Sequence, residues 1–174
     1  LGVGWGATLY ESLQTLSPRQ LVGLEVVSLL GGVVEARRYN PGEFAWQFAN
    51  IVGADCYLLT APAVVDSSAT REALIERCGL GTVFAHAENM NMALLSVGNM
   101  SAQSTSFRFG FLSEEDRNTL LQKGAVGDLL YNFFDAKGRI VDHPINSRVM
   151  SRPVERLRSV PKRVIASGGL DKVE

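Results

Sequence analysis

Gly2-Val3-Gly4-Trp5-Gly6-Ala7-Thr8 is a glycine-rich segment that runs straight into a helix candidate, Ala7–Leu16. Glycine lets the backbone turn tightly and approach a ligand, and a helix N-terminus offers N–H groups and a partial positive charge to an anion. A turn of this kind is also a common way to pack a helix closely on a strand. The segment alone leaves two interpretations open, anion binding and close packing.

The rest of the chain repeats this step from an apolar run to a helical segment. Apolar runs of strand length alternate with amphipathic segments of helix length, which predicts an α/β domain with a mainly parallel sheet. Nearly continuous apolar runs are expected where helices cover both faces of the strands. The predicted strands are Leu24–Leu30, Cys56–Ala61, Met92–Val97, Leu129–Phe134 and Arg163–Ser167. The other predicted helices are Pro41–Val52, Ser68–Cys78 and Ser113–Lys123.

Three local signals add detail to this outline. Arg139–Asp142 follows a turn, so it is predicted to pair with the preceding strand as a hairpin and to make the sheet mixed. Ser113, with Asp116 three residues later, predicts a capping-box start for its helix. The polar segment Asn99–Gly110 follows a buried strand, and ligands of open α/β sheets bind beyond the carboxyl ends of strands. This segment is therefore a candidate wall of a ligand site.

Composition limits the classes of function. A chain of 174 residues that is 46% hydrophobic suits one globular domain, residues 1–174. A formal net charge of −1 gives no overall basic field toward nucleic acid or anionic membrane. No run approaches the ~20 apolar residues of a membrane helix, and no signal segment leads the chain, so we expect a cytoplasmic location. Cys56 and Cys78 are expected to be reduced thiols. Because the chain starts at Leu1 without an initiator Met, we expect a fragment of a longer protein.

Three further strand ends carry glycines that expose backbone N–H groups. They are Gly31 with its neighbour Gly32, Gly98 at the start of the polar segment, and the pair Gly168-Gly169, which Lys172 follows. A lysine in the first turn of a helix opposes the helix dipole unless an anion lies between them. Lys172 is therefore a candidate phosphate contact, with a solvated surface lysine as the alternative.

The candidate polar side chains lie near the middle of the chain. Asp128, flanked by glycines at the entrance of a predicted strand, could accept hydrogen bonds from sugar hydroxyls, act as a general base, or simply stabilise a turn. In the polar segment, Gln103, Ser104 and Arg108 are candidates by polarity, with Arg108 as a second phosphate contact. The two histidines have no metal-ligand spacing and no nucleophile motif is present, so no cofactor and no metal are expected.

Several motifs together resemble the effector-binding domain of SorC/DeoR-type bacterial transcription regulators. No single motif is specific, but their order along nearly the whole chain is. The motifs are GVGWGATL at residues 2–9, YLLTAPA at 57–63, GAVGD at 124–128, FFDAKGR at 133–139, HPINSR at 143–148 and SGGLDK at 167–172.

The resemblance implies a three-layer α/β/α Rossmann-like fold, similar to that of sugar-phosphate isomerases and glucosamine-phosphate deaminases, that binds a phosphorylated sugar. It implies that DNA is bound only through a separate N-terminal helix-turn-helix, absent here, and that the protein assembles as a homo-oligomer, a dimer or tetramer. It places Gly6 and Thr8 at the phosphate or sugar end, Asp128 on sugar hydroxyls and Lys172 on phosphate. Leu30 stands where some members have arginine, which disfavours a bisphosphate effector.

Three functions remain open at this point. The leading one is a sensor without catalytic activity, whose ligand shifts the DNA binding of the whole regulator. The second is a sugar-phosphate isomerase or deaminase with Asp128 as base. Such enzymes generally need more than one acid together with a lysine or histidine, and this chain offers mainly Asp128. The third is an interaction domain without a small ligand, which four glycine-rich strand ends make unattractive.

Overall fold

The computed structural model describes residues 1–33, 40–108 and 112–169. Its strands are β1 (Gly2–Val3), β2 (Glu25–Ser28), β3 (Asp55–Tyr57), β4 (Met92–Leu95), β5 (Gly98–Asn99), β6 (Ala125–Leu129), β7 (Asn132–Asp135) and β8 (Lys162–Ile165). Its helices are α1 (Ala7–Ser12), α2 (Pro41–Val52), α3 (Ser68–Arg77), α4 (Gly81–Glu88), α5 (Thr105–Arg108), α6 (Glu114–Gln122) and α7 (Val154–Leu157), with 3₁₀ turns at Leu13–Thr15 and Pro144–Ser147.

The predicted α/β class with a mainly parallel sheet is confirmed. Five strands form a sheet in the order β3-β2-β1-β4-β8, and every pairing within it is parallel. Successive side chains of a strand point to opposite faces. Accordingly, Val26 of β2 packs in one buried cluster with Leu9 and Phe44, while Val27 packs in another with Trp5 and Leu95. The two clusters hold helices and connecting segments against the two faces of the sheet.

The predicted strand Leu129–Phe134 is wrong, because the chain turns back on itself there. β6 and β7 form an antiparallel hairpin whose turn consists of Leu130 and Tyr131, at φ values of 55° and 59°. Residues other than glycine rarely adopt this backbone conformation. Because both turn residues are also buried and hydrophobic, the sequence pattern resembles that of one continuous buried strand. Asn132 supports the turn by donating from Nδ2 to the carbonyl oxygens of residues 129 and 130.

The antiparallel strands do not join the parallel sheet, so the prediction of a single mixed sheet is also wrong. They form a separate three-stranded sheet in the order β5-β6-β7. The predicted hairpin strand Arg139–Asp142 does fold back on β7, but only through a bridge between Ile140 and Phe134. The small sheet brings β6 beside the glycine at the start of β5, and this pairing shapes the site described below.

The helix signals were mostly accurate. α2 begins and ends where predicted, with Gly53 in the left-handed conformation just after it. Ser113 and Asp116 form the predicted capping box at the start of α6. Three helices were not predicted: α4, α7 and the short α5, which lies inside the polar segment after β5. Among the residues that the structure describes, no helix has the length and apolarity needed to cross a bilayer.

Candidate functional site

A cavity of about 230 Å³ lies at the carboxyl ends of β1 and β4, where open parallel sheets bind their ligands. Its lining is dominated by backbone, hydroxyl and amide groups. The lining residues are Trp5, Gly6, Ala7, Ser96, Val97, Gly98, Asn99, Ser101, Gln103, Ser104, Thr105, Ser106, Asp128 and Gly168.

A larger groove of about 380 Å³ lies at the opposite end of the sheet. Glu25 at the start of β2 and Asn91 just before β4 contribute to its walls, together with His86 of α4. It therefore lies at the amino ends of the strands, away from the glycine-rich exits. The cavity at the carboxyl ends is the candidate functional site.

Asp128 is the charged side chain of this cavity. It lies within β6 rather than at the entrance of a strand, and only 2% of its surface is exposed. Burial of an ionised carboxylate is costly unless donors surround it. Ser106 donates its hydroxyl to Oδ1 at 2.7 Å, and the Tyr131 backbone N–H donates to Oδ2 at 3.1 Å. The unusual turn of the β6–β7 hairpin thus has a role in holding the carboxylate.

Gly98 gives Asp128 the room to reach Ser106. The two residues face each other across the β5–β6 pair. A Cβ at position 98 would lie 2.1 Å from Asp128 Oδ1 and 3.2 Å from Ser106 Oγ. Here a glycine is required for side-chain packing across the strands, beyond the exposed N–H group that the sequence suggested. Gly98 itself lines the cavity, as predicted.

The polar segment after β5 forms one wall, as the sequence predicted for Asn99–Gly110. Gln103 and Ser104 both line the cavity. The wall is shaped by its own hydrogen bonds, from Gln103 N–H to Ser101 Oγ at 3.2 Å and from Ser104 N–H to the Ser101 carbonyl at 2.9 Å. Ser104 Oγ is buried and has no hydrogen-bond partner within the described part of the chain. A buried hydroxyl without a partner calls for a ligand or a water molecule.

The first glycine-rich segment forms another wall. Gly6 has a φ of 142°, which favours glycine, and a Cβ there would lie 3.0 Å from Ser96 Oγ. Gly6 is the N-cap of α1 and no side chain caps that helix, so the backbone donors of its first turn are left to other partners. Trp5 stacks on Tyr131 with 5.9 Å between ring centroids. Burial and the negative charge of Asp128 raise the pKa of the Tyr131 hydroxyl.

Thr8 does not line the cavity but lies directly behind it. Its Oγ1 accepts a hydrogen bond from the Gly168 N–H at 3.0 Å, and Gly168 does line the cavity. Thr8 therefore ties the first glycine-rich strand end to the last one. Its predicted direct contact with ligand remains a prediction, and Lys172 lies outside the described residues.

Two other predicted site residues lie apart from the cavity lining. Gly31 packs against backbone, since a Cβ there would lie 2.6 Å from the Ala61 carbonyl oxygen. This close approach explains the glycine without a ligand. Arg108 is exposed at the end of α5 and is not among the described lining residues. The structure brings together Gly6, Gly98, Gln103, Ser104 and Asp128.

Trp5, Ser96 and Ser106 are among the lining residues that the sequence reasoning did not select. Trp5 sits inside the glycine-rich segment that was quoted for its glycines alone. Ser96 lies just past β4, where the apolar run masked it. Ser106 belongs to the polar segment, but its bond to Asp128 spans 22 positions and leaves no local signal.

The cavity has little acid–base equipment among the residues that the structure describes. Asp128 is the one titratable side chain among its described lining residues. Within the described part of the chain, no three His, Cys, Asp or Glu side chains lie close enough together to hold a metal ion. What the arrangement offers is a fixed carboxylate, a set of hydroxyl and amide groups, and glycine backbone at two strand ends.

Comparison with known proteins agrees with this arrangement. A family model described as "Putative sugar-binding domain" matches residues 1–174. The chain belongs to this family. The resemblance to the effector-binding domain of SorC/DeoR-type regulators is thereby confirmed.

Individual relatives cover the whole chain. The Deoxyribonucleoside regulator of Bacillus subtilis (strain 168) is 33% identical over 174 residues, which are 99% of this chain and 55% of that protein. The chain thus spans about half the length of this curated relative.

Two solved structures share the fold. A DeoR family transcriptional regulator from Listeria monocytogenes superposes with a TM-score of 0.90 at 24% identity, over 98% of this chain and 67% of that one. The full-length sorbitol operon regulator SorC from Klebsiella pneumoniae has a TM-score of 0.87 at 22% identity, over 98% of this chain and 56% of that one.

Proposed function

We propose that this domain is the ligand-sensing part of a bacterial transcription regulator and that it binds a phosphorylated sugar in the 230 Å³ cavity. The observation that carries the proposal is the buried Asp128 carboxylate, held by two internal donors at the wall of a cavity lined by hydroxyl and amide groups. An ionised carboxylate accepts hydrogen bonds only, which suits sugar hydroxyls. Drug-sized ligands occupy pockets of about 300–1,000 Å³, so this cavity suits a smaller molecule.

The phosphate end of the ligand is placed at the glycine-rich walls. Gly6 and Gly168 present backbone without side-chain obstruction, and the first turn of α1 begins at the same point. Backbone N–H groups at such a position suit an anion. The sugar end then lies toward Asp128 and the polar wall, where Ser104 Oγ needs a partner. Lys172 and Arg108 remain the proposed cationic contacts to phosphate.

A sensor suits the site better than an isomerase or deaminase. Asp128 already accepts hydrogen bonds from two internal donors, and its neighbours in the described lining carry no second acid, lysine or histidine. The matched relative from Bacillus subtilis is named as a regulator. We therefore propose that the ligand is bound and released unchanged.

The remainder of the proposed protein follows from the resemblance. A helix-turn-helix domain outside these residues would bind DNA, which fits the net charge of −1 of this chain. The regulator would act in the cytoplasm as a dimer or tetramer. Binding of the sugar phosphate would shift its DNA affinity to the extent that the ligand favours one arrangement of the subunits.

Thermal unfolding with a product assay tests this function. The ligands are ribose 5-phosphate, glucose 6-phosphate and fructose 6-phosphate, together with the unphosphorylated sugars. A ligand at 100 times its Kd stabilises the folded chain by about 2.7 kcal/mol, which corresponds to a rise in Tm of about 5–10 °C for a chain of this size.

We expect at least one phosphate ester to raise the Tm without product formation. Asp128→Asn should abolish the rise, whereas Asp142→Asn, an exposed aspartate away from the cavity, should preserve it. Turnover that disappears in Asp128→Asn would instead establish an enzyme. An equal rise in Tm in both variants would show that the ligand binds at another site.

A further inference from the structure

The polar wall of the cavity supplies much of its lining and is attached to the rest of the domain by several contacts. Six lining residues come from it: Asn99, Ser101, Gln103, Ser104, Thr105 and Ser106. The hydrogen bonds among Asn99, Ser101, Gln103 and Ser104 shape this segment internally. They do not fix its distance from the sheet, so other contacts must do so.

Several contacts attach the segment to its surroundings. Asn99 pairs with Gly127 of β6, and Met100 belongs to the large buried cluster. Arg117 Nε donates to the Met100 carbonyl at 2.8 Å, and the Phe107 ring lies 5.8 Å from that of Phe133. A further contact is the hydrogen bond from Ser106 Oγ to Asp128 Oδ1. This one differs from the others because Asp128 belongs to the cavity itself. Both of its residues are nearly inaccessible, with 3% of Ser106 and 2% of Asp128 exposed.

The surroundings leave Asp128 and Ser106 little freedom. Oδ2 of Asp128 accepts the N–H of Tyr131, a residue of the left-handed turn, and Gly98 lies against Oδ1. Ser106 thus contributes a donor to Oδ1 from the polar wall. Any ligand that hydrogen-bonds to the Asp128 carboxylate meets a group whose orientation depends on the position of the wall.

We propose that Ser106 is a positioning residue: it orients the Asp128 carboxylate toward the ligand and ties the polar wall to the occupancy of the cavity. This inference rests on the proposed function, because it assigns the ligand to Asp128. If occupancy and wall position are linked, the linkage is reciprocal. A bound sugar phosphate slows opening of the wall, and loss of the Ser106 hydroxyl weakens binding of the sugar phosphate.

Ser28 supplies a matched control for the test. It is as buried as Ser106, at 2% exposed, and its hydroxyl donates to the Leu30 carbonyl at 2.9 Å, but it does not line the cavity. Ser28→Ala and Ser106→Ala therefore remove the same atom from an equally buried site. A hydrogen bond to a charged group contributes about 1.5–3 kcal/mol to stability, so loss of the Ser106 hydroxyl should shift the equilibrium between the closed and the open wall by roughly 10-fold to 100-fold.

The experiment combines titration calorimetry with hydrogen exchange. The probe is whichever of ribose 5-phosphate, glucose 6-phosphate and fructose 6-phosphate binds the wild-type chain most tightly. Ser106→Ala should bind it more weakly and should exchange roughly 10-fold to 100-fold faster over residues 99–108 in the unliganded chain. Ser28→Ala should match the wild type in both. In the Asp128→Ala background, the Ser106 substitution should not speed this exchange further, because it acts through that carboxylate.

Two results would overturn the proposal: wild-type affinity in Ser106→Ala, or equal losses in Ser106→Ala and Ser28→Ala. Unchanged hydrogen exchange over residues 99–108 in Ser106→Ala would likewise show that Ser106 does not hold the polar wall. If the wild-type chain binds none of the three sugar phosphates, the proposed function fails. The exchange comparison, which needs no ligand, then still decides whether Ser106 holds the wall.

Discussion

Substitution of Gly98 by alanine should disrupt the Asp128 site directly. The added Cβ would lie 2.1 Å from Asp128 Oδ1, more than an ångström short of ordinary van der Waals contact, which begins at 3.4 Å. Asp128 cannot move aside without breaking its bond to Ser106 or to the Tyr131 N–H. Loss of a hydrogen bond to a charged group costs about 1.5–3 kcal/mol, and overpacking costs about 1–3 kcal/mol. We expect the free energy of unfolding to fall by about 3 kcal/mol.

Urea unfolding measures this loss, and Gly42→Ala is its control. The nearest atom to a Cβ at position 42, in the first turn of α2, is 3.7 Å away, so that variant should be at least as stable as the wild type. If the clash with Asp128 is the cause, Gly98→Ala should cost little in an Asp128→Ala background. The same cost in both backgrounds would refute this reasoning.

Other predictions concern single titratable groups. Burial raises the pKa of the Cys56 thiol to about 11, so iodoacetamide at pH 8 should modify exposed Cys78 much faster, and equal rates would contradict the burial. Burial also lowers the pKa of His143, so at mildly acidic pH the unfolded chain binds more protons than the folded chain. The free energy of unfolding should therefore fall as the pH drops below about 6.5. His143→Asn keeps an acceptor for the helix cap and should flatten that dependence in urea unfolding between pH 7 and 5, whereas an unchanged slope would exclude His143 as its source. Finally, Lys172→Ala should weaken binding of glucose 6-phosphate far more than binding of glucose, and equal losses in calorimetry would remove it from the phosphate site.

The parallel sheet was predictable because four of its five strands are signalled locally, whereas the central β1 was not among the predicted strands. The apolar runs Leu24–Leu30 and Met92–Val97 contain β2 and β4, and the helix Pro41–Val52 was predicted with its correct bounds. The predicted strands extend too far where an apolar run continues past the hydrogen-bonded part of the strand. The predicted strand Cys56–Ala61 is an example, because β3 covers only Asp55–Tyr57. Buried connecting segments are as apolar as the strands they follow.

The hairpin of β6 and β7 could not be read from the sequence. Its turn, Leu130-Tyr131, lacks the glycine, asparagine or aspartate that marks such turns. The Asp128 carboxylate and the Asn132 amide stabilise it, together with the stacking of the distant Trp5 on Tyr131. The position of Asp128 was misjudged for the same reason. Gly98 was correctly selected as a lining residue, but it makes room for a side chain, whereas Gly31, also selected, lies apart from the cavity and makes room for backbone.

The central claim is that the cavity at the carboxyl ends of β1 and β4 holds the sugar phosphate. Backbone amide chemical shifts of the ¹⁵N-labelled 18.9 kDa chain, titrated with the sugar phosphate that most raises its Tm, test this directly. The account predicts shifts concentrated at Gly6, Gly98, residues 101–106, Asp128 and Gly168. Shifts concentrated instead around the groove of Glu25, His86 and Asn91 at the other end of the sheet would contradict it.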